Sequence, residues 1–260
     1  MSTTSRHALP VAIDAYLDAI ATRDFDAAVL HTDAQVISAL PPGADAAENA
    51  PRLEVVGQDA LRSALPSSFG DSGLTVLAAA GAGEHWLVEG RSEGEPSETV
   101  AASFTLRDDL IARQLVFRCQ LVEPPPIAGH TAGTGHDARA MVDRYFDRLE
   151  TGDFPAAVAC FSADGLYSHP PYSPGAGRAE FRGSEELLAG FHRRGVRSVR
   201  HRLLVSPQNG ADCLIEGLTD DEPQGGSFIS SLSLDEDGRI KRYLALFCQP
   251  IVAFDLPERS

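Results

Sequence analysis

The chain has 260 residues, 43% of them hydrophobic, and a formal net charge of −15 from 22 basic and 37 acidic side chains. A chain of that length buries a core in one or two domains without disulfide or metal staples, and the mixed charge is that of a soluble globular protein. The acidic excess runs through both halves, so neither offers a phosphate backbone a broad basic face, which argues against a nucleic-acid partner.

The N-terminal stretch MSTTSRHALP has no basic flank leading into an apolar run, and no segment approaches the roughly 18 apolar residues of a membrane span. The expectation is a cytoplasmic protein with no membrane partner. Cys119, Cys160, Cys213 and Cys248 show no ligand spacing, so no metal is implied, and they read as small buried residues of a reducing compartment. No glycine-rich nucleotide loop follows a strand pattern, so no cofactor is implied either.

The first ordered element begins near Asp14 and opens a duplication. Residues 14 to 42 overlay residues 143 to 171 without a gap, and 12 of the 29 positions are identical, including Tyr16 with Tyr145, Asp24-Phe25 with Asp153-Phe154, and Pro41-Pro42 with Pro170-Pro171. The offset of 129 returns at the end of each copy, where Arg113, Cys119 and Gln120 match Arg242, Cys248 and Gln249. It is 126 at Gly57 and Gly183 and 127 at Glu89 and Glu216. Length changes confined to loops are the mark of two copies of one fold. The expected domains are residues 1–124 and 137–254, joined by a linker over 125–136 in the proline- and glycine-rich stretch EPPPIAGHTAGTGHD.

In the second copy Met141, Val142, Tyr145, Phe146 and Leu149 recur at helical spacing. A short helix is predicted from Phe154 to Phe161, a strand from Leu166 to His169, and a third helix after Gly183 with Ser184 as its cap. Strands follow over 198–206, 211–219, 227–235 and 239–248, the last two joined through Asp237-Gly238 as a two-residue type I′ turn. Helices followed by a run of strands give an α+β class.

The stretches RYFDRLETGDFPAAVACFSADGLYSHP and SLDEDGRIKRYLALF make the second copy resemble the nuclear transport factor 2-like superfamily, which includes ketosteroid isomerases, scytalone dehydratase and SnoaL-type cyclases. The first copy, with AYLDAIATRDFDAAVLHTDAQVISALPP, looks like a divergent member. The resemblance implies two cone-shaped domains, each a curved antiparallel sheet wrapped around N-terminal helices, with an apolar pocket inside. It also implies that the two domains could pair as an internal pseudo-dimer, and that a homodimer could form.

Matched to the ketosteroid isomerases, Tyr145 falls on the hydrogen-bond donor to the enolate, His169 on the proton-shuttling carboxylate and Ser230 on the second donor. A histidine is a sensible base there, because its unperturbed pKa of about 6.5 lies near working pH. Matched to scytalone dehydratase, His201 in SVRHRLLV is the inward histidine, in line with Val199, Leu203 and Val205 because alternate strand residues share a face. Glu216 on the next strand is a candidate orienter or acid, and Tyr167 and Tyr172 in LYSHPPYSPG are candidate substrate contacts. His169 is Leu40 in the first copy, and the counterpart of His201 there lies near Leu74 or Thr75. The expected site is therefore in the second domain, with the first as a scaffold.

The expected function is a cofactor-free lyase, isomerase or cyclase acting by acid–base chemistry on a small apolar oxygenated metabolite. The alternatives are a non-catalytic small-molecule-binding or partner-binding protein, and an epoxide-opening enzyme. The last needs an inward acid pair, for which Glu89 and Glu216 are the candidates.

Overall fold

The computed structural model describes residues 9–41, 53–69, 73–92, 98–120, 135–169, 178–197, 199–220 and 226–248. Tyr172, Pro170, Pro171 and most of the predicted linker lie outside the described residues. The first domain runs α1 (Val11–Thr22), α2 (Phe25–Val29), β1 (Thr32–Leu40), β2 (Leu53–Val56), α3 (Gln58–Phe69), β3 (Leu74–Ala82), β4 (His85–Ser92), β5 (Glu98–Arg107) and β6 (Leu110–Gln120). The second runs α4 (Ala138–Thr151), α5 (Phe154–Val158), β7 (Phe161–His169), β8 (Ala179–Arg182), α6 (Gly183–Arg194), β9 (His201–Val205), β10 (Gln208–Asn209), β11 (Asp212–Thr219), β12 (Gly226–Leu234) and β13 (Ile240–Cys248).

Local chemistry explains why the two copies kept the residues they share. Asp24 and Asp153 each cap the short second helix, accepting from the amides of Ala27 and Ala156. The residue ending the first helix is left-handed in both, as Arg23 (φ 61°) and Gly152 (φ 78°). Glycine takes that conformation without steric cost and arginine does not. Asp137 caps α4 through the Ala140 amide.

The sheet orders are β2-β1-β6-β5-β4-β3 and β8-β7-β13-β12-β11, with β9 and β10 both on the outer side of β11. Each sheet is antiparallel except for one parallel pair, β1 with β6 and β7 with β13. Their registers coincide: Thr32 and Ile37 face Ile111 and Arg113, as Phe161 and Leu166 face Ile240 and Arg242. Each sheet therefore carries its helices on one face, and those faces hold the two separate cores built on Tyr16 and on Tyr145.

The opposite faces of the two sheets pack against each other. Ala39, Ala80, Leu87, Ala101, Leu115 and Phe117 of the first meet Leu214, Ile229 and Leu246 of the second, with Val205 at the margin. Strand meets repeat-equivalent strand, β6 with β13, β5 with β12 and β4 with β11. That is the signature of an approximate two-fold axis inside one chain.

Four local expectations are corrected. The helix from Phe154 stops at Val158, because Phe161 pairs with Ile240 as the first residue of β7. The α6 cap position is Arg182 rather than Ser184, and its amide donates to Glu186 at 2.8 Å. Between β12 and β13 only Gly238 has positive φ, and Asp235 organises a longer turn by accepting from the Asp237 and Arg239 amides. The two-residue turn with two positive φ values occurs instead in the first domain, at Asp108 and Asp109. Finally, a bulge in β9 opposite Glu216 and Gly217 breaks the alternation, so Val205 turns to the interdomain face while Leu203 stays with the Tyr145 core.

Candidate functional site

Residues that face the helices of the second domain bring most of the predicted groups together. Spacing along α4 sends Val142, Tyr145, Phe146 and Leu149 into the core. Tyr145 is 1% exposed and sits at the centre of the aromatic layer, with ring centroids 5.3 Å from Phe161, 5.2 Å from Phe146 and 5.6 Å from Tyr243. From β12, Ser230 points to the same side and exchanges a 2.9 Å hydrogen bond with the Tyr243 hydroxyl. Tyr167 on β7 lies parallel to Tyr243 at 5.6 Å, and His169, two residues on, lies parallel to Tyr167 at 5.9 Å. Three phenols, one serine and one imidazole thus meet in one largely aromatic layer.

His201 occupies a different edge of that layer. Its ring stacks on Phe146 at 4.1 Å with a 7° interplanar angle and meets the edge of Phe228 at 5.7 Å. Gly217 makes room for this arrangement, since a Cβ there would fall 2.4 Å from the Phe228 ring. The imidazole Nδ1 lies 2.9 Å from Glu150 Oε1, and the same oxygen accepts from the His201 amide at 2.8 Å. Arg200 Nη1 donates to Glu150 Oε2 at 3.0 Å. Burial pushes the Glu150 carboxyl up, but the hydrogen bonds from the His201 ring and amide and from Arg200 outweigh it, holding the carboxyl below its ordinary range. Because a carboxylate only accepts, Nδ1 carries the proton in the neutral ring, and Nε2 is left with the lone pair of a base.

The ring contacts that connect His169 to His201 run through Tyr167, Tyr243 and Phe146, so three rings separate the two imidazoles along that path. Glu216 is not part of this constellation. It sits on the interdomain face, where its carboxylate meets Arg113 Nη2 at 2.8 Å and accepts from the Ser103 hydroxyl. Odd-numbered residues of β11, Cys213 and Ile215, face the helices, and even-numbered ones, Leu214 and Glu216, face the other domain. Glu89 is likewise held by Arg242 across the same interface. Neither carboxylate enters a cup, so the acid pair that epoxide opening would use is engaged elsewhere.

Sequence reasoning passed over Glu150 and Tyr243. The signal that marks them is the comparison with the first copy, where Glu150, His201, His169 and Tyr243 are replaced by Ala21, Leu74, Leu40 and Gln114. The first domain keeps only Tyr16, whose hydroxyl pKa is pushed well up by burial, with Gln114 opposing the shift. Thiol chemistry is not favoured at Cys160 or Cys213: burial pushes Cys213 up to about 12 and raises Cys160 as well.

No curated protein matches the chain. Among solved structures, a protein from Kribbella flavida DSM 17836 is 25% identical over 43% of this chain and 87% of its own, with a TM-score of 0.36. An NTF-2 like protein from Burkholderia xenovorans LB400 is 16% identical, covers 45% of this chain and 86% of its own, and has a TM-score of 0.37. An LEH-like epoxide hydrolase of M. tuberculosis is 23% identical, with coverage of 42% and 81% and a TM-score of 0.34. Residues 142–243 match the SnoaL-like domain family, and that stretch contains Tyr145, Glu150, His169, His201, Ser230 and Tyr243. The stretch 142–243, rather than the whole chain, is accordingly identified as a SnoaL-like domain.

Proposed function

We propose that the second domain is a cofactor-free acid–base catalyst, a lyase, isomerase or cyclase, acting on a small, largely apolar oxygenated metabolite. The observation that carries this reading is the Glu150–His201 pair, both members of which are absent from the otherwise parallel first domain. A carboxylate on Nδ1 fixes the tautomer, leaves Nε2 as the base and stabilises the imidazolium once the proton has moved. The phenols and Ser230 supply hydroxyl donors for an enolate or phenolate oxygen. In this reading His201 moves the proton, Glu150 orients it, and the first domain is a scaffold.

The test is deuterium exchange at the α-carbon of a panel of cyclic ketones in D2O, followed by proton NMR. Wild-type protein accelerates exchange of at least one member, and His201→Ala reduces that rate about 10²-fold or more while the fold, read by circular dichroism, is kept. Equal rates in wild type and His201→Ala across the panel would remove the proposal and leave a binding module.

A further inference from the structure

The segment from His192 to Arg202 reads HRRGVRSVRHR and carries five arginines, in a chain whose net charge is −15. The matching stretch of the first domain, PSSFGDSGLTV over residues 66 to 76, has none, with Ser67, Ser68 and Thr75 standing where the second domain has Arg193, Arg194 and Arg202. Arg193 lies over the Phe181 ring of β8, at the other edge of the sheet, and Thr75 in place of Arg202 shows that the first domain does not need these charges. Of these arginines Arg200 is tied directly to the site. Its Nη1 is pinned to Glu150 Oε2 at 3.0 Å, and its side chain is 68% exposed. Nε and Nη2 make no hydrogen bond among the described residues, so a guanidinium held by one arm presents its other donors to solvent. Arg202 follows one residue after His201 and points to the opposite face of β9.

A planar guanidinium held by one arm, with Nε and Nη2 both free, binds a carboxylate in two-pronged fashion. We propose that the substrate of this site carries a carboxylate, taken by Arg200, with its apolar body directed to the Phe146–His201 edge of the aromatic layer. This names the substrate class of the acid–base site and rests on that reading for its location.

The experiment is a titration of the whole protein with 2-naphthoate, its methyl ester and 2-naphthyl phosphate, read by the NMR resonances of the His201 imidazole. The expected result is that naphthoate shifts those resonances, the ester binds at least about tenfold more weakly, and Arg200→Gln weakens naphthoate about tenfold without changing the ester. Arg202→Gln, on the other face, leaves naphthoate affinity within twofold. An Arg200→Gln protein that binds naphthoate as wild type does, an ester that binds as tightly as the acid, a phosphate monoester that binds more tightly than the carboxylate, or no shift of His201 would each overturn the proposal. Arg200-dependent binding in a protein whose His201→Ala variant exchanges protons normally would keep the carboxylate site and remove the catalytic reading. The reverse pattern would do the opposite.

Discussion

Arg113 of the first domain lies 2.8 Å from Glu216 of the second, and the repeat counterparts of this pair, Arg242 and Glu89, meet in the reverse direction at 2.5 Å. Each domain therefore offers one arginine and one glutamate to the other, as the two subunits of an isologous dimer would. All four side chains are less than a tenth exposed. Removing one member strands its partner charge in a buried interface, which costs about 3–5 kcal/mol, whereas replacing both by apolar residues of similar volume is close to neutral. Glu216→Ala should lower the urea midpoint strongly, and the Arg113→Met/Glu216→Leu double variant should recover most of it. A small effect of Glu216→Ala on stability combined with a large one on turnover would return Glu216 to the active site.

The carboxyl of Glu150 is held below its ordinary range by the His201 ring and amide and by Arg200. A group whose pKa falls on folding binds fewer protons in the folded state, so its contribution to stability is complete above the unfolded value and fades as pH drops through the folded one. Glu150→Gln should therefore be less stable than wild type at pH 6, and the gap should narrow as pH falls below about 4. Chemical denaturation of both proteins across that range provides the check, and a gap that widened on acidification would contradict the assignment.

How much of this could be read beforehand divides along physical lines. The duplication, the helices and the succession of the longer strands along the chain were legible because apolar periodicity and shared capping residues such as Asp24 and Asp153 are local properties, whereas β8, β10 and the parallel pairing of β7 with β13 were not. The side on which a strand residue ends up was legible only where alternation was unbroken. Ser230 keeps its place, but the bulge in β9 moves Val205 to the other face, and Glu216 was assigned to the pocket because the sequence does not say that the far side of the sheet is covered by another domain. An exposed sheet face and a domain-covered one demand different chemistry, yet both follow the same period of two. Glu150 escaped for a related reason: a glutamate in the last turn of a helix looks solvated until His201 and Arg200 arrive from 50 residues further on.

Gly217 offers a test of how tightly the His201 edge is packed. A Cβ at this position would lie 2.4 Å from the Phe228 ring and 2.9 Å from the Arg202 carbonyl oxygen, one a side chain that can shift and the other backbone that resists. Gly217→Ala should cost about 1–3 kcal/mol by overpacking. It should also move the His201 ring resonances, because Phe228 is one wall of that ring's surroundings. Unchanged His201 resonances in a destabilised protein would show that the ring position does not depend on Phe228.

The Ser230–Tyr243 hydrogen bond separates packing from chemistry at the centre of the domain. Ser230 is fully buried and Tyr243 nearly so. Tyr243→Phe leaves the ring contacts with Tyr145, Tyr167 and Phe146 in place and removes only the hydroxyl, so the stability loss should be about 1–2 kcal/mol, the cost of a buried hydroxyl left without its partner. Ser230→Ala should cost a similar amount, and the double variant less than the sum of the two, because both changes remove the same hydrogen bond. If these hydroxyls also hold a developing oxyanion, the same substitutions lower the exchange rate by about 10²-fold without weakening substrate binding. A double-mutant cycle in stability, run beside the exchange assay, distinguishes the two roles: coupling in stability with wild-type exchange rates marks a packed hydrogen bond, and a rate loss beyond the stability loss marks an oxyanion donor.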